Sequence, residues 1–114
     1  MPYIEAKLSI KLDENQQNQL QQNLSDAISS AFSKPKSYIM ANIEDEKSLF
    51  MGENKLEKGA YIAIRSLGSI SKPSCQIATR TICDVLSKNY GLESSNIYIT
   101  YHPVEFWGWN GSMF

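Results

Sequence analysis

Apolar and polar side chains alternate at the start of the chain, which predicts a β-strand with one buried face over residues 2–10. Apolar residues then recur at helical spacing up to Phe32, and Asp13 with Gln16 forms a capping-box pattern ahead of them. A first helix is therefore expected to begin after Asp13. It is expected to end at Lys34-Pro35, because a residue before proline avoids the helical conformation.

The same order of patterns recurs in the rest of the chain. Short apolar runs predict three further strands and a short terminal one, at residues 38–43, 60–67, 97–101 and 107–109. A second helix is expected to open at residues 71–74, where Pro73 suits a first helical turn, and to end at Gly91. Its predicted buried face carries Ile77, Ile82, Val85 and Leu86. The chain thus indicates a strand–helix–strand unit present twice.

Two strands joined by a helix of this length run parallel with a right-handed crossover, and the third strand is expected to run antiparallel to the first pair. The sequence therefore predicts a single α/β (α+β) domain over residues 1–114. In it, two pseudo-repeated β-α-β units form a four-stranded mixed sheet with both helices on one face. The other face stays uncovered although residues 61–64 are apolar on both sides, and such a face favours an oligomer.

Composition and charge argue against nucleic acid and membranes as partners. The chain has 114 residues, 42% hydrophobic and 20% charged, which is typical of one folded domain. Lys plus Arg (11) nearly balance Asp plus Glu (12), so the cationic excess that phosphate binding needs is absent and we expect no nucleic-acid partner. No apolar run approaches the roughly 20 residues of a membrane span, and no basic-then-apolar leader opens the chain. We therefore expect a cytoplasmic protein without a membrane partner.

Cysteine and histidine do not indicate a disulfide or a metal site. Cys75 and Cys83 lie on the same predicted helix about 12 Å apart, beyond the roughly 7 Å that a disulfide allows. They also lack the C-x-x-C spacing of a redox or metal pair, so both are expected to be reduced. His102 is the only histidine and has no ligand set or nucleophile beside it in the sequence, and no metal is predicted.

A candidate catalytic group lies at the start of the chain. Pro2 follows the initiator methionine, and removal of Met1 would leave a secondary amine at the N-terminus. An α-amine has a pKa of about 7.7–8.0, and an apolar pocket beside a cation would lower it, giving a general base at neutral pH. With Met1 still attached, the nitrogen is an amide and cannot act as a base.

The predicted topology brings a cation and backbone donors to the same edge of the sheet. Lys34 precedes the second strand, which begins beside Pro2, and the third strand ends there with Ser66, Leu67 and Gly68. The lysine and the backbone N–H groups of that turn could bind a carboxylate next to the base. The ordinary alternative is a solvated lysine before a helix-ending proline.

Several segments, in their order and spacing, carry a resemblance to a known family. They are Met1-Pro2, Lys34-Pro35, Tyr38-Ile39, residues 50–52 (Phe-Met-Gly), residues 66–70 (Ser-Leu-Gly-Ser-Ile), residues 97–99 (Ile-Tyr-Ile) and residues 107–114 (Trp-Gly-Trp-Asn-Gly-Ser-Met-Phe). Over essentially its full length the chain resembles the macrophage migration inhibitory factor and D-dopachrome tautomerase family of the tautomerase superfamily. The resemblance implies a homotrimer whose three sheets form a central barrel, which would cover the open sheet face.

The resemblance also implies an enzyme. It implies interconversion of the keto and enol forms of small aromatic 2-keto acids such as phenylpyruvate, and of D-dopachrome analogues, without a cofactor and at sites between adjacent subunits. Pro2 would be the catalytic base, and Lys34 with the backbone near Ser66 and Leu67 would hold the substrate carboxylate. The residues expected around the rest of the substrate are Tyr3 at the mouth, Trp107, Phe114, Thr100, and Tyr98 from the neighbouring subunit.

The chain departs from the family pattern at several positions. Thr100 replaces an asparagine that reaches the far end of the substrate, and Trp107 replaces a smaller aliphatic residue, so the preference among aromatic substrates is expected to differ. Residues 59–62 occupy the place of a C-x-x-C motif found in some members, so no thiol–disulfide oxidoreductase activity is expected. Tyr38 is interpreted as structural, and Trp109 as a core or subunit-interface aromatic.

Two other interpretations remain open. One is a cytokine-like extracellular ligand with a vestigial tautomerase pocket, whose partner would be a cell-surface receptor and whose export would need a non-classical route. Leu12 stands where the mammalian cytokine's receptor-facing surface would have an arginine, and that surface is not recognisable in this chain. The other is an oligomer with no catalytic role.

Overall fold

Two helices lie on one face of a four-stranded sheet in the computed structural model, which describes residues 1–114. The elements in chain order are β1 (Pro2–Leu8), α1 (Glu14–Phe32), β2 (Met40–Glu44), β3 (Phe50–Met51), β4 (Asn54–Lys55), β5 (Ala60–Leu67), α2 (Lys72–Tyr90), β6 (Ile97–Val104), β7 (Gly108–Trp109) and β8 (Ser112–Met113). Single turns of 3-10 helix cover Lys36–Tyr38 and Ser94–Asn96. Neither α-helix has a stretch apolar and long enough to span a lipid bilayer.

The sheet has the strand order β2-β1-β5-β6. β1 and β2 are parallel, β5 and β6 are parallel, and β5 runs antiparallel to β1, which confirms the predicted mixed sheet of two β-α-β units. Because β1 and β2 begin at the edge of the sheet where β5 ends, Pro2 pairs with Ser66. The hairpins β3–β4 and β7–β8 form two small additional sheets.

α1 begins and α2 begins and ends where the sequence indicates, whereas α1 ends two residues before the expected Lys34-Pro35. The Asp13 carboxylate accepts a hydrogen bond from the Gln16 N–H at 2.8 Å, and the Gln16 side chain accepts one from the Asp13 N–H at 2.9 Å, which completes the capping box. α1 ends at Phe32, one residue before Ser33 adopts the left-handed conformation with φ 53°. Gly91 ends α2 with φ 73°, a conformation that glycine adopts without strain.

Several strand boundaries differ from the prediction for identifiable reasons. β1 ends at Leu8, because Ser9 turns to exchange hydrogen bonds with Gly59. β2 begins at Met40, because the preceding residues form a turn of 3-10 helix whose last bond joins the Ile39 N–H to the Lys36 carbonyl at 3.0 Å. β6 continues beyond Tyr101 to Val104, since β5 offers it pairing partners along its whole length.

The helix-covered face of the sheet forms the hydrophobic core. Fully buried residues of the core include Ile4, Leu8, Ile62 and Ile64 from the sheet and Leu20, Leu24, Ile28, Ile82 and Leu86 from the helices. The prediction that Ile77 faces the core is wrong, since its side chain is 53% exposed. The buried stripe of α2 runs through Ala78, Ile82 and Leu86, and Ile77 lies about 100° around the helix from Ala78.

The opposite face of the sheet is open in the single chain, and it is more polar than residues 61–64 suggest. Glu5 pairs there with Lys7 at 3.4 Å and with Arg65 at 3.9 Å. The Thr100 hydroxyl hydrogen-bonds the Tyr61 hydroxyl and the His102 Nε2, both at 2.8 Å. This open face, defined by the side chains that alternate with the core-facing ones, therefore carries ion pairs and hydrogen bonds where the other face carries aliphatic packing.

Candidate active site

A cavity of about 920 Å³ lies at the edge of the sheet where β1 and β2 begin. Residues 1–3 and 37–40 line two of its sides, Arg65 of β5 lines another, and residues 107–109 of the C-terminal segment cover it. The parallel arrangement of β1 and β2 brings the first two groups together. The cavity is thus assembled from four separate parts of the chain.

Pro2 lies at the base of this cavity. Its side chain is fully buried, and its strand partner Ser66 is only 2% exposed. The Leu67 N–H donates a hydrogen bond to the carbonyl oxygen of Met1 at 3.2 Å. With Met1 attached, one of the two backbone donors predicted to hold a carboxylate is therefore occupied by the chain itself.

The electrostatic environment of the N-terminus favours an uncharged amine. Burial lowers the pKa of the Met1 amine below its ordinary value, and the positive charge of Lys34 lowers the pKa further. Ser29 fixes the backbone of Lys34 from both sides, because its hydroxyl donates to the Lys34 carbonyl and its own carbonyl accepts from the Lys34 N–H. Lys34 lies near enough to the Met1 amine to lower its pKa, although it is not among the residues that line the cavity of the single chain.

An aromatic cluster closes the cavity on the C-terminal side. The rings of Tyr38 and Trp109 meet edge to face with centroids 5.8 Å apart, and Phe114 stacks on Trp109 at 6.1 Å. The Phe114 N–H donates to the Trp107 carbonyl at 3.0 Å, which holds the chain end against the wall. Of the residues predicted around the substrate, Tyr3 and Trp107 line the cavity directly, whereas Phe114 supports it through Trp109.

Among the residues of the cavity wall that have no binding role in the sequence-based prediction, three carry large aromatic or charged side chains: Tyr38, Arg65 and Trp109. Tyr38 and Arg65 lie at the sheet edge that holds Pro2, since Tyr38 comes two residues before β2 and Arg65 is the strand partner of Tyr3. The predicted strand directions already implied this juxtaposition and could have indicated both residues. Trp109 depends on how the terminal hairpin folds back, for which the sequence holds no equivalent signal.

The family model of macrophage migration inhibitory factor (MIF) matches residues 1–114. The chain belongs to the MIF family. Among its relatives, the macrophage migration inhibitory factor of Xenopus laevis is 29% identical over 94 residues, which is 81% of each chain. The crystal structure of Leishmania major MIF2 superimposes with a TM-score of 0.89 at 24% identity, covering 100% of this chain and 97% of the other. The MIF homologue of Prochlorococcus marinus gives 0.87 at 26% identity, covering 98% of both chains.

Two of the predicted site residues lie far from the cavity within the single chain. Pro2, Ser66 and Pro103 form one row of the sheet, and Tyr98 precedes Pro103 by five positions on β6. At about 3.3 Å per residue, Tyr98 is roughly 17 Å along the sheet from that row, in addition to the width of two strands. It lines a separate concavity of about 110 Å³ with the β3–β4 hairpin, and Thr100 follows it on the open face. Neither residue can therefore contact a substrate at Pro2 of the same subunit.

No cluster of three or more histidine, cysteine or carboxylate side chains suitable for a metal ion is present. Both cysteines are free. Burial raises the pKa of the Cys75 and Cys83 thiols, which favours the unreactive protonated form.

Proposed function

We propose that the protein is a cofactor-independent keto–enol tautomerase of 2-keto acids of the phenylpyruvate and dopachrome type, in which Pro2 is the general base after removal of Met1. The observation that carries the proposal is the position of buried Pro2 in the wall of a largely aromatic cavity. The Met1 amine one residue before it already has a pKa lowered by burial and by the positive charge of Lys34. A perturbed amine in a concave, largely apolar site is suited to proton transfer at neutral pH. Membership of the MIF family supports the same activity.

The proposed reaction moves one proton between two atoms of the substrate. For enol-to-keto conversion, the Pro2 nitrogen takes the proton of the enol hydroxyl, and the resulting ammonium delivers a proton to the adjacent carbon. The hydroxyl becomes the carbonyl, so atoms and charge balance without a further reactant. Because the same nitrogen is base and then acid, it must hold its proton weakly. Burial and the positive charge of Lys34, which lower the pKa of the Met1 amine, would act in the same direction on a Pro2 amine.

The substrate carboxylate would bind beside the amine. We assign it to the Lys34 ammonium and to the backbone N–H of Leu67, with Ser66 fixing the position of that backbone by pairing with Pro2. Since the Met1 carbonyl accepts from the Leu67 N–H, removal of Met1 would have two effects. It would expose the amine and also release the donor that the carboxylate needs.

The aromatic part of the substrate would lie against the rings of Tyr3, Tyr38 and Trp107. Flat apolar walls bind an aromatic ring through burial of its surface and through offset or edge-to-face contacts. Trp107 reduces the space in this part of the cavity relative to the smaller residue expected at this position in the family. The large volume of about 920 Å³ in the single subunit leaves room for a contribution from a second chain.

We propose that a homotrimer supplies this contribution. Tyr98 is 61% exposed, and Phe50 beside it is 60% exposed, so the two present an apolar patch at the opposite end of the sheet from Pro2. In a cyclic trimer, this patch of one subunit would face the Pro2 edge of the next, and Tyr98 and Thr100 would complete that site. The uncovered sheet faces would then line the centre of the assembly.

The test compares Pro2→Gly with the unchanged protein, after mass spectrometry has shown that Met1 is absent from both. Conversion of phenylpyruvate from enol to keto should fall by at least about a hundredfold in Pro2→Gly, because glycine keeps an amine but loses the ring that fixes its position. Protein that retains Met1 is the matched control, since its amide nitrogen should give the buffer rate. A buffer rate in the unchanged protein with its free proline confirmed would contradict the proposal.

A second candidate is a cytokine-like extracellular ligand, which the name of the Xenopus laevis relative favours. Recognition by a cell-surface receptor would depend on the outer surface and not on the Pro2 nitrogen. Pro2→Gly would therefore abolish tautomerisation and leave receptor binding, whereas changes of surface charge would do the reverse. For this role the protein would have to leave the cytoplasm, where we otherwise expect it.

A further inference from the structure

Arg65 is the only charged side chain among the residues that line the Pro2 cavity. It extends from β5 on the open face of the sheet, directly opposite Tyr3 of β1. Its side chain is 45% exposed in the single chain, and its place in the cavity wall is what makes the guanidinium available to an anion bound there. The remaining wall is aromatic, aliphatic or uncharged, and a single guanidinium in such a wall is a specific binding point for a negative group.

The guanidinium is only weakly engaged by the protein itself. Its one ion-pair partner is Glu5, at 3.9 Å from Nη1, and Glu5 lies closer to Lys7, at 3.4 Å. An Arg side chain has five N–H donors, and a bidentate carboxylate contact uses two of them at about 2.7–2.9 Å. Arg65 therefore has donors available for a ligand, and Glu5 holds it in place without saturating it.

Arg65 and the proposed carboxylate site lie on opposite sides of Pro2. The strand partner of Pro2 is Ser66, which is flanked by Leu67 on one side and Arg65 on the other. Leu67 and Arg65 are two residues apart on one strand, which separates their Cα atoms by about 7 Å.

We propose that Arg65 binds a second anionic group of the substrate, so that the preferred substrate is a dicarboxylic 2-keto acid with its second carboxylate at the end remote from the keto group. This inference rests on the proposed tautomerase function and extends it. The first carboxylate occupies Lys34 and the Leu67 N–H, the carbon that exchanges its proton lies at Pro2, and the second carboxylate contacts Arg65.

The experiment compares kcat/KM for phenylpyruvate with kcat/KM for phenylpyruvate carrying a para-carboxylate. Arg65→Gln should lower the ratio of diacid to monoacid by about tenfold, because a charge-assisted hydrogen bond to one substrate only is lost. Arg65→Lys keeps the charge but not the planar fork, and should retain part of the preference. Glu5→Gln removes the competing carboxylate and should raise the ratio.

Lys7→Gln is the matched control. It removes a positive charge from the same face, and Lys7 shares the partner Glu5 with Arg65 but does not line the cavity. The ratio should change by less than about twofold, as is usual for an exposed pair. The second-anion site would be overturned if Arg65→Gln lowered kcat/KM equally for both substrates. It would also be overturned if Lys7→Gln changed the diacid-to-monoacid ratio as much as Arg65→Gln does.

A measurement of binding separates this inference from the proposed function. Titration calorimetry with the two acids reports affinity whether or not turnover occurs. Tighter binding of the diacid that disappears in Arg65→Gln would support the Arg65 site even if phenylpyruvate were converted only at the buffer rate. No preference for the diacid in the unchanged protein would contradict the site, even with full tautomerase activity.

Discussion

The two faces of the sheet differ in what holds them together. On the helix-covered face, Ile4, Ile62 and Ile64 are completely buried among helix side chains. On the open face, Glu5, Lys7 and Arg65 alternate with them along the same strands and form partly exposed ion pairs. Burial of one aliphatic side chain contributes about 1.5–3 kcal/mol, whereas an exposed ion pair contributes about 0–1 kcal/mol. Most of the stability therefore resides on one face, and the other face is left to recognition.

The candidate site lies where these two regions meet. Pro2 has the parity of the core-facing residues and is fully buried, while its neighbour Tyr3 and the partner of Tyr3, Arg65, belong to the open face. Because Pro2 points toward the core face, packing against the core fixes the position of its nitrogen. Residues that point toward the open face can be replaced without loss of the fold. Substrate preference and folding are therefore controlled by alternate residues of the same strands.

The largest expected effect is a loss of stability from a change on the covered face. Ile4→Ala should lower the free energy of unfolding by about 2–5 kcal/mol, because it removes buried aliphatic surface and leaves a cavity. Lys7→Ala, on the same strand but on the open face, should cost less than about 1 kcal/mol. Urea unfolding of the two variants at one protein concentration measures both effects. Losses of similar size would mean that the two faces contribute equally.

The next effect concerns the electrostatics of the site. Lys34→Gln removes the positive charge that helps to lower the pKa of the Met1 amine. We expect the same charge to act on the Pro2 amine once Met1 is absent, so the pKa of that amine should rise in Lys34→Gln. At a given pH on the acid side less of the amine is then the free base, so the acid limb of the profile of kcat against pH should move to higher pH. KM for phenylpyruvate should increase by about tenfold through loss of the carboxylate partner.

Lys36→Gln is the control for this prediction. Lys36 lies two residues further on and pairs with Asp26 on the surface of α1. It carries the same charge as Lys34, but it is not among the groups that lower the pKa of the amine. Its replacement should leave both the acid limb and KM unchanged, and a shift of equal size in the two variants would show that overall charge, and not Lys34, controls the amine.

Features fixed by neighbouring residues were predictable from the sequence. The capping box of Asp13 and Gln16 and the left-handed Gly91 depend on contacts within a few residues, and they set the start of α1 and the end of α2. Strand directions follow from the length of the helices that join them. These directions alone bring Pro2, Lys34 and Leu67 to one edge of the predicted sheet.

The features that depend on distant packing were not predictable in the same way. Ile77 and Ala78 are adjacent, and which of them faces the sheet depends on the rotation of α2 and not on hydrophobicity, so the larger residue was placed wrongly in the core. The cavity role of Trp109 arises from the folding back of the terminal hairpin, which brings its ring against Tyr38. The assignment of Tyr98 and Thr100 to a neighbouring subunit came from family resemblance alone and remains a prediction.

The smallest expected effect distinguishes the two faces at alkaline pH. Tyr101 lies on the covered face against Phe32, with its hydroxyl 2.8 Å from the Thr79 hydroxyl, and burial raises its pKa to about 12. The unfolded chain releases this proton near pH 10, as an ordinary tyrosine does. Its contribution to stability is therefore complete below about pH 10 and is lost as pH rises toward about 12, because only the unfolded state has released the proton.

Tyr101→Phe should flatten the decline of unfolding free energy over this interval, with a modest amplitude because the side chain is only half-buried. Urea unfolding at several pH values measures this slope, and an unchanged slope in Tyr101→Phe would assign the alkaline loss to other groups and remove Tyr101 as a titrating element of the covered face.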